Sequence, residues 1–360
     1  MPILYPVHVL RAIAALIVVL SHYRLFYGQT TGWTETFSLL KFGDAGVDLF
    51  FVISGFIMVY AAERLYGTAG ASFTFFVHRL IRIVPLYWLV TTLYVFVAWI
   101  VPSFGKSYAI EFVIASYFFL PWPQLDGVMQ PVVGQGWTLN YEMPFYLVFS
   151  LALFAPRRAA VLGACLVLTT VVVAGLVFQP GQPILKFLTY PIIIEFVFGM
   201  LIGLAYREGV RLPSWAGWTL IIAGLGLIFS SEQMHAWASG RVILWGVPAA
   251  LVVAGATLGQ VQMSGRGWRG LVLIGEASYA LYLTHSIPLR GTLALMRIGG
   301  LDMAVFAWPG LVFGTFASVV LAVAVYYIFE LPSRNALRRM YDGRQQLKKP
   351  EAALAQRGVP

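Results

Sequence analysis

Charge is what this 360-residue sequence has least of: Asp, Glu, Lys and Arg together make up 11% of it, against 59% hydrophobic residues. With a mean hydropathy of +0.80, a water-soluble domain would have too little polar surface to cover itself. The composition therefore assigns most of the chain to lipid. Cysteine is almost absent as well. Cys165 stands alone inside an apolar run, which excludes an intramolecular disulfide and leaves the redox compartment unspecified. Acidic residues are fewer than basic ones, 15 against 24. The net charge of +9 lies in loops between apolar runs, a distribution that argues against nucleic acid as the partner. The sequence also lacks an internal repeat, and no small-residue cleavage site follows its first apolar run. That run reads as a retained first span and not as a secretory signal.

What is present is a series of apolar windows. Runs of about twenty residues, the length a bilayer core of about 30 Å requires of a helix, lie near 6–26, 43–61, 84–101, 138–155, 159–178, 187–206, 216–231, 243–260, 271–291 and 306–330. They predict an all-α, polytopic transmembrane helical bundle of about ten spans. A further apolar piece at 108–122 is shorter and bounded by proline, and suits a re-entrant or interfacial helix. Alternate loops differ in charge. Sixteen of the 24 basic residues fall on one side, among them Arg79, Arg82, Arg157, Arg158, Arg207 and Arg338; seven, including Lys106 and Arg241, fall on the other, with Arg11 inside the first span. The positive-inside rule then puts both termini in the cytoplasm. The expected organisation is a membrane-embedded domain over 1–333 and a basic cytoplasmic tail over 334–360, lying near anionic headgroups. Gly199 with Gly203 and Gly255 with Gly259 form small-xxx-small pairs that read as helix-packing notches.

Ionisable groups inside a bilayer are costly unless paired or hydrated, so each one is a functional candidate. Arg11 and His22 are eleven residues apart, which returns to nearly the same helix face after about 16 Å of rise. Counted from the ends of their spans, His22, Asp48, Glu142 and His285 fall at one depth and predict a single polar layer beneath the outer surface. The same residues could instead be satisfied partners that hold helices in register. Arg79 and Arg82 lie three apart at the cytoplasmic start of the third span, where they could form a phosphate clamp of guanidinium forks or a topological anchor. A long anionic ligand with phosphates at one end and a thioester about 16 Å away would fit Arg11, Arg79 and Arg82 at one end and His22 at the other. Coenzyme A has that shape. Hydroxyl attack on its thioester needs a base such as histidine, with Asp48 or Glu142 orienting the imidazole.

Six motifs in order carry a resemblance: LRAIAALIVVLSHY (10–23), GDAGVDLFFVISGF (43–56), FVHRLIRIVPLYW (76–88), GWTLNYEMPFYL (136–147), GEASYALYLTH (275–285) and YYIFELP (326–332). Across about residues 5–335 the sequence resembles the integral-membrane acyltransferase family 3, the polysaccharide O-acetyltransferases, and its ExoZ-like exopolysaccharide-production subgroup. The resemblance implies catalysis by His22 and acyl-CoA binding by Arg11, Arg79 and Arg82, and Asp48 and Glu142 stay in the catalytic set as the carboxylates that could orient the imidazole. Trp137, Tyr279, His285 and Glu330, which lie within these motifs, are further candidates. The resemblance also implies no metal and no permanently bound cofactor, acetyl-CoA or another acyl-CoA as donor, and a saccharide acceptor. Exopolysaccharide assembly proteins are the expected partners, and the bacterial inner membrane the expected location. Some relatives carry an extracytoplasmic esterase-like domain that this sequence does not show after Pro332. Either the membrane domain performs the whole transfer or another protein completes it. The rival reading is a proton-coupled transporter or flippase of a saccharide or lipid-linked precursor, since intramembrane His and Glu also build proton relays.

Overall fold

The computed structural model describes residues 4–100, 108–124, 127–230 and 240–355, and side chains as far as 343. Of the basic residues counted above, Lys106 and Arg357 lie outside the described residues, as do the side chains of Arg344, Lys348 and Lys349. Every regular element among the described residues is helical. Fifteen α-helices follow one another. They are α1 (Tyr5–Thr31), α2 (Ala45–Ala61), α3 (Ala71–Ile100), α4 (Ile110–Tyr117), α5 (Leu139–Ala152), α6 (Arg157–Phe178), α7 (Pro183–Leu188) and α8 (Ile194–Arg207). Then come α9 (Ser214–Ser230), α10 (Val247–Leu258), α11 (Arg269–Glu276), α12 (Ser278–Thr284), α13 (Ser286–Ile298), α14 (Ala307–Val325) and α15 (Leu331–Ala355).

Among the described residues, six helical stretches are long and apolar enough to cross a membrane: Tyr5–Thr31, Ser38–Ala61, Ala71–Ile100, Arg157–Phe178, Pro183–Arg207 and Ala307–Gly343. Shorter apolar helices run through Ser214–Ser230 and Val242–Leu258. The outward faces are apolar too. Leu166 and Phe178 on α6, and Val312 and Phe316 on α14, are each about two-thirds exposed or more, a surface that needs hydrocarbon around it. The chain is a multi-pass membrane protein. The window at 271–291 is not one uninterrupted helix but α11, α12 and α13, with turns at Ala277 and His285. The piece at 108–122 forms α4, only eight residues, about 12 Å and too short to cross. It is tied to α3 by the Trp88 indole donating to the Tyr117 carbonyl (2.9 Å) and by a Thr92–Tyr117 hydroxyl pair (2.6 Å).

Close approach at small residues sets the bundle. α2 lies against α8, where a Cβ on Gly199 would overlap the Val52 carbonyl and sit 2.8 Å from the Phe56 nitrogen. α9 meets α10 at Gly217, against Gly255 and Gly259. Both glycine pairs named from the sequence are therefore contact notches. At one end of the bundle, Glu63 after α2 takes Arg157 of α6 (2.9 Å) and Arg207 of α8 (3.1 Å), while Glu208 takes Arg157 (3.2 Å) and Arg158. Arg158 holds the Glu208 carboxyl below the usual carboxylate range. This clasp is complete above that range and is lost only as pH falls through the lowered value.

The notch supplies a stability test. Gly199→Ala should weaken the protein by about 1–3 kcal/mol through overpacking. Gly163→Ala, where an added Cβ meets nothing within 4 Å, should cost nothing. Thermal unfolding of the two purified variants in detergent separates them. Equal midpoints would show that the α2–α8 contact tolerates a methyl group.

Candidate active site

Helix α1 runs unbroken through both Arg11 and His22, so the two ends of the candidate site share one rigid rod. At the Arg11 end, Nε and Nη2 both donate to Oγ of Ser278, at 3.1 and 2.8 Å. Ser278 is fully buried at the start of α12. Arg11, Arg82, Glu142, Tyr146, Tyr279 and Tyr282 line a narrow cavity of about 80 Å3. The Tyr146 hydroxyl donates to the Glu142 carboxylate one turn back on α5, and the Tyr279 hydroxyl donates to the Ile83 carbonyl at 2.8 Å. Arg79 stacks over Phe75 at 4.9 Å, and its charge interacts with those of Arg82 and Glu142. Glu330 is buried at the end of a π-helical turn, Tyr326–Glu330, where its charge acts on Arg82 and Arg11. Three guanidinium groups thus face two carboxylates, which leaves cationic capacity for an anionic ligand.

The other end holds two histidines. The rings of His22 and His285 meet edge to face with centroids 4.8 Å apart. Nδ1 of His22 lies 2.9 Å from the Val18 carbonyl, and Nδ1 of His285 lies 3.0 Å from the Leu281 carbonyl. A carbonyl only accepts, so each Nδ1 carries the proton and each neutral ring presents the lone pair of Nε2. Nε2 of His285 is buried without a partner, and His285 itself is fully buried while His22 is half-buried. His22 is the more accessible base. Tyr282 joins the two ends: it lines the cavity, its hydroxyl donates to the Gln135 carbonyl (2.8 Å), and its ring centroid is 6.3 Å from that of His285.

The single polar layer expected from the sequence divides. His22 and His285 come together, but Glu142 sits with the arginines. The reason lies in the entry to α5. A buried 3-10 turn, Gly134–Thr138, precedes that helix inside the protein, so depth cannot be counted from a membrane surface there. Asp48 does not orient His22 either. Its two oxygens accept a bidentate pair from Arg241, Nε at 3.0 Å and Nη2 at 2.7 Å, both partners being nearly inaccessible. Arg241, read as an outer-loop charge, is a buried ion-pair partner set over the Trp245 ring at 4.8 Å. The fully buried Glu195 faces the same cluster beneath Gly246. Trp137 packs edge-on against Phe51 and Tyr141 in the aromatic core. Backbone carbonyls, not carboxylates, hold the two imidazoles.

Sequence reasoning missed Asp44. It accepts 2.6 Å from the Ser21 hydroxyl, beside His22, and its charge acts on His22. The available signal was the closeness of Gly43 and Gly46, whose missing side chains let this segment touch the α1 backbone at Ile17 and Ala14. Among the described residues, no three His, Cys, Asp or Glu side chains gather into a metal-sized group.

The Asp48–Arg241 pair separates structure from chemistry. Asp48→Ala strands a buried guanidinium and should cost about 3–5 kcal/mol. Replacing both partners with apolar residues should restore much of that loss. Thermal unfolding of the single and double variants reads the difference, and an unaffected single variant would remove the pair from the structural account.

The acyltransferase domain model matches residues 5–327. The chain is 33% identical over 316 residues to the exopolysaccharide production protein ExoZ of Rhizobium meliloti (strain 1021), covering 84% of this chain and 93% of that protein. It is 28% identical to the acyltransferase MdmB of Streptomyces mycarofaciens, covering 88% and 86% respectively. It is 26% identical to the putative peptidoglycan O-acetyltransferase YrhL of Bacillus subtilis (strain 168), covering 93% of this chain and 55% of that one. No solved structure matches. With a match that spans almost the whole bundle and includes both ends of the α1 site, the chain belongs to the integral-membrane acyltransferase family 3 and is an acyltransferase.

Proposed function

We propose that the protein is a membrane-bound O-acyltransferase that moves an acyl group, acetyl in the simplest case, from cytoplasmic acyl-CoA to a hydroxyl of an exopolysaccharide or other envelope saccharide. The observation that carries this reading is the arginine-lined cavity joined along α1 to a paired histidine with a free Nε2. The names of the relatives point to saccharides: one acts in exopolysaccharide production and one is a putative peptidoglycan O-acetyltransferase. The chain then crosses a bacterial inner membrane about ten times with both termini cytoplasmic, working beside exopolysaccharide assembly proteins. Supporting that orientation, the Glu63 and Glu208 clasp brings the ends of α2, α6 and α8 to one level, rich in arginine.

The chemistry follows from the geometry. Arg11, Arg79 and Arg82 hold the donor phosphates, with Glu142 and Tyr146 fixing the arginines. The pantetheine arm runs outward along α1 past Tyr282. Nε2 of His22 takes the proton of the acceptor hydroxyl as its oxygen bonds to the thioester carbon. The tetrahedral intermediate collapses with loss of the C–S bond, and the departing thiolate takes the proton back from the imidazolium. His285, packed against His22, holds the ring in place. Asp44 favours the charged imidazolium that forms between the two steps.

His22→Gln keeps size and polarity but not the base, so transfer should fall about 10²- to 10⁴-fold while donor binding stays close to wild type. Arg79→Ala should weaken donor binding, and Arg79→Lys should rescue it only in part because the planar fork is lost. The measurement is acyl transfer and donor affinity on the same purified proteins. Near wild-type transfer by His22→Gln would overturn the base assignment, and unchanged donor affinity in Arg79→Ala would reduce Arg79 to an anchor.

A further inference from the structure

The basic tail does not trail away from the bundle. After the π-helical turn that ends at Glu330, the chain continues as α15, which returns across the N-terminal turns of α3. His78 Nε2 lies 3.0 Å from Asp342 Oδ1, the Tyr341 hydroxyl lies 3.4 Å from that of Thr74, and the Tyr341 ring meets those of His78 and Phe73. His78 immediately precedes Arg79, so α15 is fastened beside Arg79, one turn before the cavity-lining Arg82.

This docking gives α15 a cationic edge near Arg79. Arg338 is more than half exposed, paired only loosely with Asp342 at 3.5 Å, and close enough to repel the charge of Arg79. Arg339 is exposed and bonded through Nε to the Asn335 carbonyl at 3.3 Å. Asn335, Arg338, Arg339 and Asp342 line a hollow open to the surface. From Arg338 the charge passes to Arg79, then to Arg82, then to Arg11. Like charges in a row repel, and α15 holds this row together without enough carboxylate to neutralise it. Such a line fits a ligand that carries separate phosphate groups along its length.

Coenzyme A is such a ligand, with a pyrophosphate in the chain and a 3′-phosphate on the ribose. We propose that Arg338 and Arg339 on α15 receive the 3′-phosphate of the donor nucleotide, while Arg79 and Arg82 take the pyrophosphate. The inference rests on the acyl-CoA reading above and makes the C-terminal helix a wall of the donor site. Phosphate could also reach these arginines as a lipid headgroup, and the test is built to separate the two sources.

The protein is placed in nanodiscs of neutral phosphatidylcholine, and binding of coenzyme A and of 3′-dephospho-coenzyme A is measured for the wild type and for Arg338→Gln/Arg339→Gln. Both positions are exposed, so the double variant should fold. The wild type should prefer coenzyme A by about tenfold or more, the value of a charge-assisted phosphate contact. The double variant should bind both ligands alike, at the wild-type affinity for the dephospho form. A preference retained in the double variant overturns the proposal, and so does a wild type that binds both ligands equally well; in either case the acyl-CoA reading survives. A wild type that binds neither ligand removes both. Repetition in discs containing phosphatidylglycerol supplies the headgroup arm. If the double variant differs from wild type only there, with no discrimination between the two nucleotides, the arginines hold lipid and the proposal fails.

Discussion

An α-helix turns about 100° and rises about 1.5 Å per residue, so two side chains eleven positions apart are held on nearly one face at a nearly constant distance. In this protein the two are Arg11 and His22, and the helix between them has no break. The rest of the bundle serves that spacing. The 3-10 turn before α2 is brought against α1 at Gly43 and α2 itself at Gly46, α11 meets α1 where Gly275 touches the His8 backbone, and α12 supplies Ser278 to Arg11 and leads into His285 beside His22. On the proposed acyl-CoA reading, a donor bound by its phosphates at one end presents its thioester at the other.

The second constraint is the cost of charge in lipid, and the fold meets it differently in each cluster. Asp48 and Arg241 form a buried bidentate pair, with the carboxyl of Glu195 set against it. Glu142 is held by Tyr146 and surrounded by guanidinium groups. The cavity side of the bundle is instead left with excess positive charge, and the histidine side with unshared lone pairs. Arg241 ties Asp48 into the scaffold, whereas Arg11, Arg79, Arg82 and His22 make up the proposed site.

Much of this was legible in the sequence because the signals were local. Hydropathy windows found α1, α3, α6 and α14, and the spacing of Arg11 and His22 on one helix is a property of that helix alone. The meeting of His22 with His285 followed from similar depth in two spans that both start or end at a surface. Glu142 was misplaced because its helix starts inside the protein, after the buried turn at Gly134–Thr138. Arg241 was assigned to a loop because a single charge between two apolar windows gives no sign that a carboxylate waits 193 residues earlier. The role of Asp44 depended on a close approach of two backbones, and the docking of α15 on His78 depended on a pair separated by 264 residues. Non-local contacts of that kind leave no periodic trace in a single sequence.

The central claim is that one helix carries both the donor clamp and the base, and it is tested most directly by a structure of the protein with a thioether analogue of acetyl-CoA that binds but cannot transfer its acyl group. The account predicts phosphates at Arg11, Arg79 and Arg82 and the analogue's carbonyl carbon beside Nε2 of His22, about 16 Å along α1 from Arg11. A carbonyl carbon lying elsewhere, for instance against the Asp48–Arg241 pair with His22 remote from it, would contradict the account.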